Sequence, residues 1–541
     1  MLETPSPVTD SPSAPTVPTP TGSNAVGRGI AVAAALIALG NIMSSVLGQV
    51  RNSIIAQLFG ASPDSAAYVI ASAVPNTMYD FLVGGLVSAA LVPVFSELAE
   101  RDPHELGRVA GTIFTMISLV ISLAISVIWL LAPQLGMLLT STQPNGLIIR
   151  PLATGLIRWM APALLFMALT GLLTGLSQAR HKFLLPAFAI SLFNIGMIAC
   201  ALLLHRQLGI LSLALGMMIG ALAQVVLLLP TARGIPLRPS LNLRQPEVRR
   251  ILRLYAPVVV GISFSVIGTV VDRRLASGVP QRGAAAIMGY ATTLIQFGMG
   301  VITSAIALAA LPTLSRQGVD PNNLGAYRRT LALSLKAVLL LILPAAVGLG
   351  VLARPIIMVL FERGAFTHVD TGVTTLALLL YVPSMIAAAI DQPLIFAFYA
   401  RKNTLLPNLV QGAAIVTYLV VALSSVGRFG MYGLIAANVA QWTMHALIML
   451  VLTHRYLGAL VGQRLGEALA KGMLASLGMG CGIALLRWLM GDPPTHSWAL
   501  VELLAGGAIG AGVYALCAAL VRLETFELWV VGLCHRLTRH S

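Results

Sequence analysis

Apolar residues in this chain do not alternate with polar ones in the short rhythms of a soluble helix or strand. They run in blocks of about 20, the length that crosses roughly 30 Å of hydrocarbon as an α-helix. Such blocks predict helices over 29–58, 66–96, 107–132, 152–178, 183–204, 209–229, 249–278, 283–314, 328–352, 370–398, 404–425, 430–454, 466–489 and 497–521. Residues 1–25 carry no apolar run and are rich in Pro, Ser and Thr, which predicts a disordered tail. That tail is not a signal peptide, because its start is not basic and no A-x-A-like site closes the first block. Residues 522–541 set Phe526, Trp529, Val530 and Leu533 against Arg536 and Arg539, the pattern of a short interfacial helix. The fold class expected is therefore an all-α polytopic membrane protein with about fourteen transmembrane helices.

Composition sharpens this picture. Of 541 residues, 57% are hydrophobic and 10% charged, with a mean hydropathy of +0.87. A soluble domain carries about 25% charged residues, so this chain belongs in a bilayer. The net charge of +15 does not point to nucleic acid, because the basic residues are scattered between apolar blocks without a basic stripe. Most of the Lys and Arg fall on one side of the predicted helices, the largest group being Arg233, Arg238, Arg244, Arg249, Arg250 and Arg253. The positive-inside rule makes that side the cytoplasm and, with an even helix number, places both termini there. Cys200, Cys481, Cys517 and Cys534 lie far apart, without the spacing of a disulfide framework or metal site. No Walker A loop, HExxH or G-x-S-x-G motif is present, and neither a cofactor nor an enzyme activity is expected.

The chain repeats itself. Pro93 and Ser96 precede Asp102-Pro-x-x-Leu-Gly107, and Pro312 and Ser315 precede Asp320-Pro-x-x-Leu-Gly325. Ala179-Arg180-His181-Lys182-Phe183-Leu184-Leu185-Pro186 mirrors Ala400-Arg401-Lys402-Asn403-Thr404-Leu405-Leu406-Pro407. An offset of about 220 residues holds six helices, and an even number makes the halves parallel, a plan in which substrate binds between two rocking lobes. The expected division is a tail (1–25), an N-lobe (26–232), a basic cytoplasmic loop (233–248), a C-lobe (249–457), two further helices (458–521) and the interfacial segment (522–541).

A charge at membrane depth costs about 2.5–3.5 kcal/mol on insertion scales and so faces a wet cavity or a partner. Arg51 lies inside the first helix, Asp80 near the middle of the second, and Asp391 deep in the tenth beside Gln392 and Pro393. Asp272, Arg273 and Arg274 cluster near the outer end of the seventh. These six are the candidate substrate-binding residues. Each also has a bland reading: an interface snorkeller for Arg51, an outer-loop cluster for Asp272 to Arg274, helix–helix pairing for Asp80 and Asp391. His445, alone in an apolar run, reads as a packed, hydrogen-bonded residue. Pro75, Gly84, Gly85, Pro162, Pro257, Pro344, Pro383 and Pro393 mark sites where helices kink.

Several stretches carry a family resemblance. Gly48-Gln49-Val50-Arg51-Asn52-Ser53-Ile54-Ile55-Ala56-Gln57-Leu58-Phe59-Gly60-Ala61, Val74-Pro75-Asn76 and Ala90-Leu91-Val92-Pro93-Val94-Phe95-Ser96-Glu97 are of this kind. So are Ala310-Leu311-Pro312-Thr313-Leu314-Ser315, Phe361-Glu362-Arg363-Gly364-Ala365-Phe366 and Phe398-Tyr399-Ala400-Arg401-Lys402-Asn403-Thr404. Over roughly residues 30–460 the chain resembles the MurJ (MviN) family of the MATE/polysaccharide-flippase superfamily. The resemblance implies two six-helix lobes around a cationic cavity, and flipping of lipid II, a lipid-linked diphosphate precursor of peptidoglycan. The last two helices would form a membrane-facing groove for its tail, with membrane lipids and cell-wall synthesis proteins as partners. Arg51 matches the family's first-helix arginine. A second arginine of that helix falls on Gln57, helix-2 charges fall on Tyr79, Asp80 and Gly84, and the Asp-Arg of helix 8 falls on Thr292 and Thr293. Asp272, Arg273 and Arg274 are expected to compensate. Flipping of another lipid-linked oligosaccharide is the nearest alternative. A cation-coupled multidrug exporter would call for acidic cavity residues, and a scaffold would need neither repeat nor buried charge.

Overall fold

A computed structural model of the chain describes residues 23–80, 87, 91–242, 244–319, 324–401, 403, 405–458, 462–492, 495–523 and 526. Residues 1–22 of the expected tail, 527–541 of the expected interfacial segment, Gly84, Gly85 and Asp320 lie outside the described residues. The helices are α1 (Ser23–Phe59), α2 (Pro63–Tyr79), α3 (Val92–Arg101), α4 (Pro103–Leu130), α5 (Ala132–Leu139), α6 (Pro144–Met160), α7 (Ala163–Ala179), α8 (Leu184–Leu208) and α9 (Leu211–Leu228). There follow α10 (Pro246–Gly278), α11 (Ala284–Val319), α12 (Leu324–Val351), α13 (Ala353–Phe361), α14 (His368–Ala400), α15 (Leu405–Phe429), α16 (Met431–Leu452), α17 (Leu465–Met490) and α18 (His496–Leu520).

Among the described residues, nine helices are long and apolar enough to cross a bilayer, and the bent pair α6–α7 makes a tenth. α1, α10 and α11 run 37, 33 and 36 residues, more than the ~20 a crossing needs. This order accommodates the fourteen helices expected. Two features depart from expectation. The helix expected over 152–178 begins earlier, at Pro144, and at the kink expected of Pro162 it breaks by 44° between Met160 and Ala163, because Pro162 lacks the N–H that would continue the ladder. The short helices α5 and α13, of 8 and 9 residues, fall in segments expected to be loops, being far below spanning length. Helix starts follow ordinary capping chemistry. Ser62 and Ser65 form a capping box at α2, Thr367 and Asp370 do so at α14, and Asp102 accepts from the His104 amide at α4.

The repeat extends through the backbone at the same offset. α4 and α12 both run 28 residues and end on Leu131 (φ −89, ψ 9) and Leu352 (φ −93, ψ 12), each opening a short helix. α7 and α14 end on Arg180 (φ −95, ψ 15) and Arg401 (φ −94, ψ 15). The amides of Lys182 and Asn403 reach back to the Ser177 and Phe398 carbonyls at 2.9 and 3.0 Å. The α8–α9 and α15–α16 turns pivot on Gly209 (φ 54) and Gly430 (φ 57). The halves diverge at Pro162, which breaks the N-terminal copy, whereas its counterpart Pro383 sits within a continuous α14.

Packing follows the repeat. α1 to α9 pack on one another as one lobe and α10 to α16 as a second, while α17 lies on α12 and α18 on α17 and α13. Within the first lobe α8 and α9 touch at Gly196 and Gly220, where a Cβ on Gly196 would lie 2.7 Å from the Gly220 Cα, the close approach that small residues allow between membrane helices.

The lobes meet in a seam at the end carrying the α1–α2, α5–α6, α10–α11 and α13–α14 turns. The Ala365 amide donates to the Gln57 carbonyl at 2.8 Å, the Ser141 amide to Ser277 Oγ at 2.7 Å, and Asn145 Nδ2 to the Val279 carbonyl at 2.8 Å. Gly60, Gly283 and Gly364 have φ of +61, +69 and +60. A Cβ on each would lie 2.2–2.4 Å from a carbonyl oxygen of the other lobe, those of Ala365, Ala61 and Gln57 respectively.

Candidate functional site

Behind this seam lies a cavity of about 180 Å³ bounded by α1, α2, α8 and α9 of the first lobe and α11 of the second. α2 supplies Ser65, Val69, Ser72 and Asn76, one face of a helix at three- and four-residue spacing. α8 and α9 supply Phe193, Met197 and Met217, and α11 supplies Tyr290 and Thr293.

Arg51 of α1 is the only charged residue lining this cavity among the described residues. Its Nη1 donates to Asn194 Oδ1 at 3.0 Å, and its Nη2 and Nε to Asn52 Oδ1 at 3.2 and 3.3 Å. Asn194 is itself fixed by donating to the Ser44 carbonyl at 3.2 Å, and Asn52 by donating to Thr293 Oγ1 at 3.2 Å. Gln49 Nε2 adds a bond to the Thr293 carbonyl at 3.3 Å. Two carboxamides of the first lobe thus orient the guanidinium without neutralising it, one of them held in turn by Thr293 of the second lobe, and among the described residues no carboxylate pairs with it. A half-buried cation held this way keeps donors and charge available to an anion, and its planar fork suits phosphate oxygens.

The other candidates separate. Asp80 is exposed, caps the C-terminal end of α2 one turn beyond Asn76, and does not line the Arg51 cavity. Asp272 and Arg273 on α10 pair at 3.5 Å, with Tyr418 Oη donating to Asp272 Oδ1 at 2.7 Å from α15. Arg273 Nε is buried and without a partner. Arg274 does not face Arg51. Its Nη1 donates to the carbonyls of Met137, Leu138 and Thr140 at 2.7, 3.2 and 3.2 Å, capping the C-terminal end of α5 across the seam. Asp391 is not brought to the cavity either. Its Oδ2 lies 2.8 Å from His445 Nδ1, and the two are 1% and 2% exposed between α14 and α16.

Residues that charge alone could not flag complete the site: Asn52, Asn194, Thr293, Ser72 and Asn76. The signal available for the last two was a row of small polar residues at helical spacing along an apolar helix. Beside the cavity, an apolar cleft of about 670 Å³ runs between α1 and α11 to α14, lined by residues such as Val46, Val50, Leu294, Phe297 and Leu360, with Gln57 and Arg363 also on its wall.

Comparison with known proteins adds three findings. Residues 55–508, more than half of the chain, match the family model described as lipid II flippase MurJ. A probable lipid II flippase MurJ of Vibrio cholerae is 29% identical over 502 residues, covering 89% of this chain and 94% of that protein. A lipid II flippase MurJ of Burkholderia cenocepacia is 28% identical over 391 residues, covering 70% and 75%. Among solved structures, a lipid II flippase MurJ in an inward closed conformation superposes with a TM-score of 0.74 at 22% identity, covering 90% of this chain and 98% of that one. An inward-facing MATE-family multidrug transporter superposes at 0.63 and 14% identity, covering 80% and 99%. At these identities the structural likenesses speak to the fold alone.

Proposed function

Because the chain belongs to the lipid II flippase MurJ family, a family of inner-membrane transporters, we propose that it carries lipid II from the cytoplasmic to the outer leaflet by alternating access. The lobes are residues 26–232 and 249–457, joined by the basic segment 233–248, with α17 and α18 appended to the second. Both termini face the cytoplasm, which makes the seam periplasmic and the present state closed to the outside.

The observation that carries the reading is Arg51, a cation oriented by Asn52, Asn194 and Thr293 in a cavity between two lobes and, among the described residues, left without a carboxylate. A diphosphate carries about two negative charges and cannot cross hydrocarbon unaided. Charge-assisted bonds from Arg51 offset part of its desolvation. The apolar cleft along α1 and α11 keeps the isoprenoid tail in an oily path while the headgroup is enclosed. An inside-negative potential of about 100 mV favours outward movement of two charges by roughly 4–5 kcal/mol, so a bias exists without a nucleotide site. Arg273, one lobe across and tied to Asp272, is the second cation the substrate would meet as the lobes rock, and Asp80 lies on the approach along α2.

A cation-coupled exporter fits less well, since the one charged group lining the cavity among the described residues is an arginine. A flippase for another lipid-linked oligosaccharide uses the same phosphate chemistry. The test is rescue of a bacterial strain depleted of its lipid II flippase. Growth restored by this chain and not by Arg51→Ala supports the reading. Failure of the well-expressed wild type to rescue, with transport of a different lipid-linked sugar, sinks it.

A further inference from the structure

A second cavity, of about 360 Å³, lies wholly within the first lobe and is not used by the account of Arg51. It continues the first. Phe193 lines both, and the walls run on along the same helices, from Asn76 to Tyr79 on α2 and from Met197 through Phe193 to Ile190 and Pro186 on α8. The spacings of three and four residues keep each row on one helix face.

Its chemistry differs from that of the Arg51 cavity. No Asp, Glu, Lys or Arg lines it among the described residues. α7 instead presents Thr170, Thr174 and Gln178, four residues apart on one face, and α9 presents Gln224 opposite them. Thr170 is 7% exposed, and its Oγ1 is buried without a hydrogen-bond partner. Elsewhere in the protein some buried hydroxyls are satisfied by the preceding turn, as Thr112 of α4 is by the Arg108 carbonyl at 3.0 Å and Ser476 of α17 by that of Gly472 at 2.7 Å. A buried hydroxyl left unsatisfied carries a desolvation penalty that a ligand with matching groups would relieve. The aromatic faces of Tyr79 and Phe193 flank the same space.

Uncharged hydroxyls and carboxamides, with aromatic faces beside them, match a sugar bearing hydroxyl and N-acetyl groups. They do not match the carboxylates of a peptide, which would be left without a counter-charge. The volume lies within the range of small-molecule sites. We infer that this cavity is the subsite for the uncharged sugar portion of the headgroup, contiguous with the diphosphate at Arg51. The inference rests on the flippase reading above and says which part of that substrate sits where.

The test uses the full chain in nanodiscs, with affinity for lipid II and for sugar-free undecaprenyl diphosphate measured by native mass spectrometry. The wild type binds lipid II more tightly. Thr170→Val with Gln224→Leu lowers lipid II affinity about tenfold, the effect of losing two neutral hydrogen bonds, and leaves undecaprenyl diphosphate affinity unchanged. Retained binding of the sugar-free lipid certifies the fold of the variant. The single variants Thr174→Val and Gln178→Ala narrow the preference in the same direction. Variants that all keep the wild-type preference for lipid II overturn the subsite while leaving the flippase reading intact. A wild type that binds neither lipid overturns the flippase reading and the subsite with it.

Discussion

Replacing Gly283 by alanine should push the transporter towards its outward-open state. A Cβ there would lie 2.2 Å from the Ala61 carbonyl oxygen and 2.5 Å from its carbon, both in the opposite lobe. The φ of +69 adds strain of about 1–2 kcal/mol for an L-residue. That strain is local and is felt whether the lobes are together or apart, so it lowers stability without choosing a state. The overlap does choose, because it vanishes when the seam opens. Relieving it in the closed state means moving the α10–α11 turn off the α1–α2 turn. This stretches neighbouring bonds, among them Tyr290 Oη to the Gly60 carbonyl at 3.2 Å and the Ala365 amide to Gln57 at 2.8 Å. Two such bonds, at about 0.5–1.5 kcal/mol each, with residual overlap, disfavour closure by about 2–3 kcal/mol. At about 1.4 kcal/mol per factor of ten, a state populated near 1% would then approach half of the ensemble. Pulsed electron spin resonance reads this out with labels at Gln143→Cys and Arg428→Cys, both exposed and in opposite lobes, after removal of Cys200, Cys481, Cys517 and Cys534. A longer-distance population is expected in Gly283→Ala. A distribution identical to wild type in a well-folded variant would refute the reasoning.

Arg274→Ala removes three cross-seam bonds and should lengthen the same distance by the same route, whereas Arg273→Ala should leave it unchanged; equal effects from both would contradict the roles assigned to them. Asp391→Ala leaves His445 buried without its partner and should destabilise the protein in detergent by about 3–5 kcal/mol, read as a lowered melting temperature, with His445→Ala in the same chain recovering part of the loss. An unchanged melting temperature would show that the pair contributes nothing. Reporter fusions after Arg244 and after Ser541 should both read cytoplasmic, and a periplasmic signal at either would reverse the assignment of the seam.

The helices were legible because burial in lipid leaves a simple signature: about 20 apolar residues cannot be read otherwise. The repeat was legible where backbone geometry demands particular residues, as at Arg180 and Arg401, whose flanking sequences match and whose dihedral angles agree within a degree. Arg51 stood out because a cation inside an apolar run is costly. What escaped depends on partners distant in sequence. Nothing near Arg274 announces that it caps α5, and nothing near Asp391 names His445. Gly283 reads as one glycine among 50; only the carbonyl of Ala61 against it gives it a role. α5 and α13 escaped because 8 and 9 residues leave too short a pattern to separate from a loop.

The central claim is that Arg51, which no carboxylate compensates among the described residues, meets the diphosphate of a lipid-linked substrate between the lobes. Its most direct measurement is translocation of fluorescent lipid II in proteoliposomes under an imposed potential of about 100 mV, the full chain compared with Arg51→Ala and Arg51→Lys. The account predicts flipping by the wild type, partial flipping by Arg51→Lys, since a point charge replaces the fork only in part, and none by Arg51→Ala at equal insertion. Wild-type rates in Arg51→Ala would remove the arginine from the site and contradict the account.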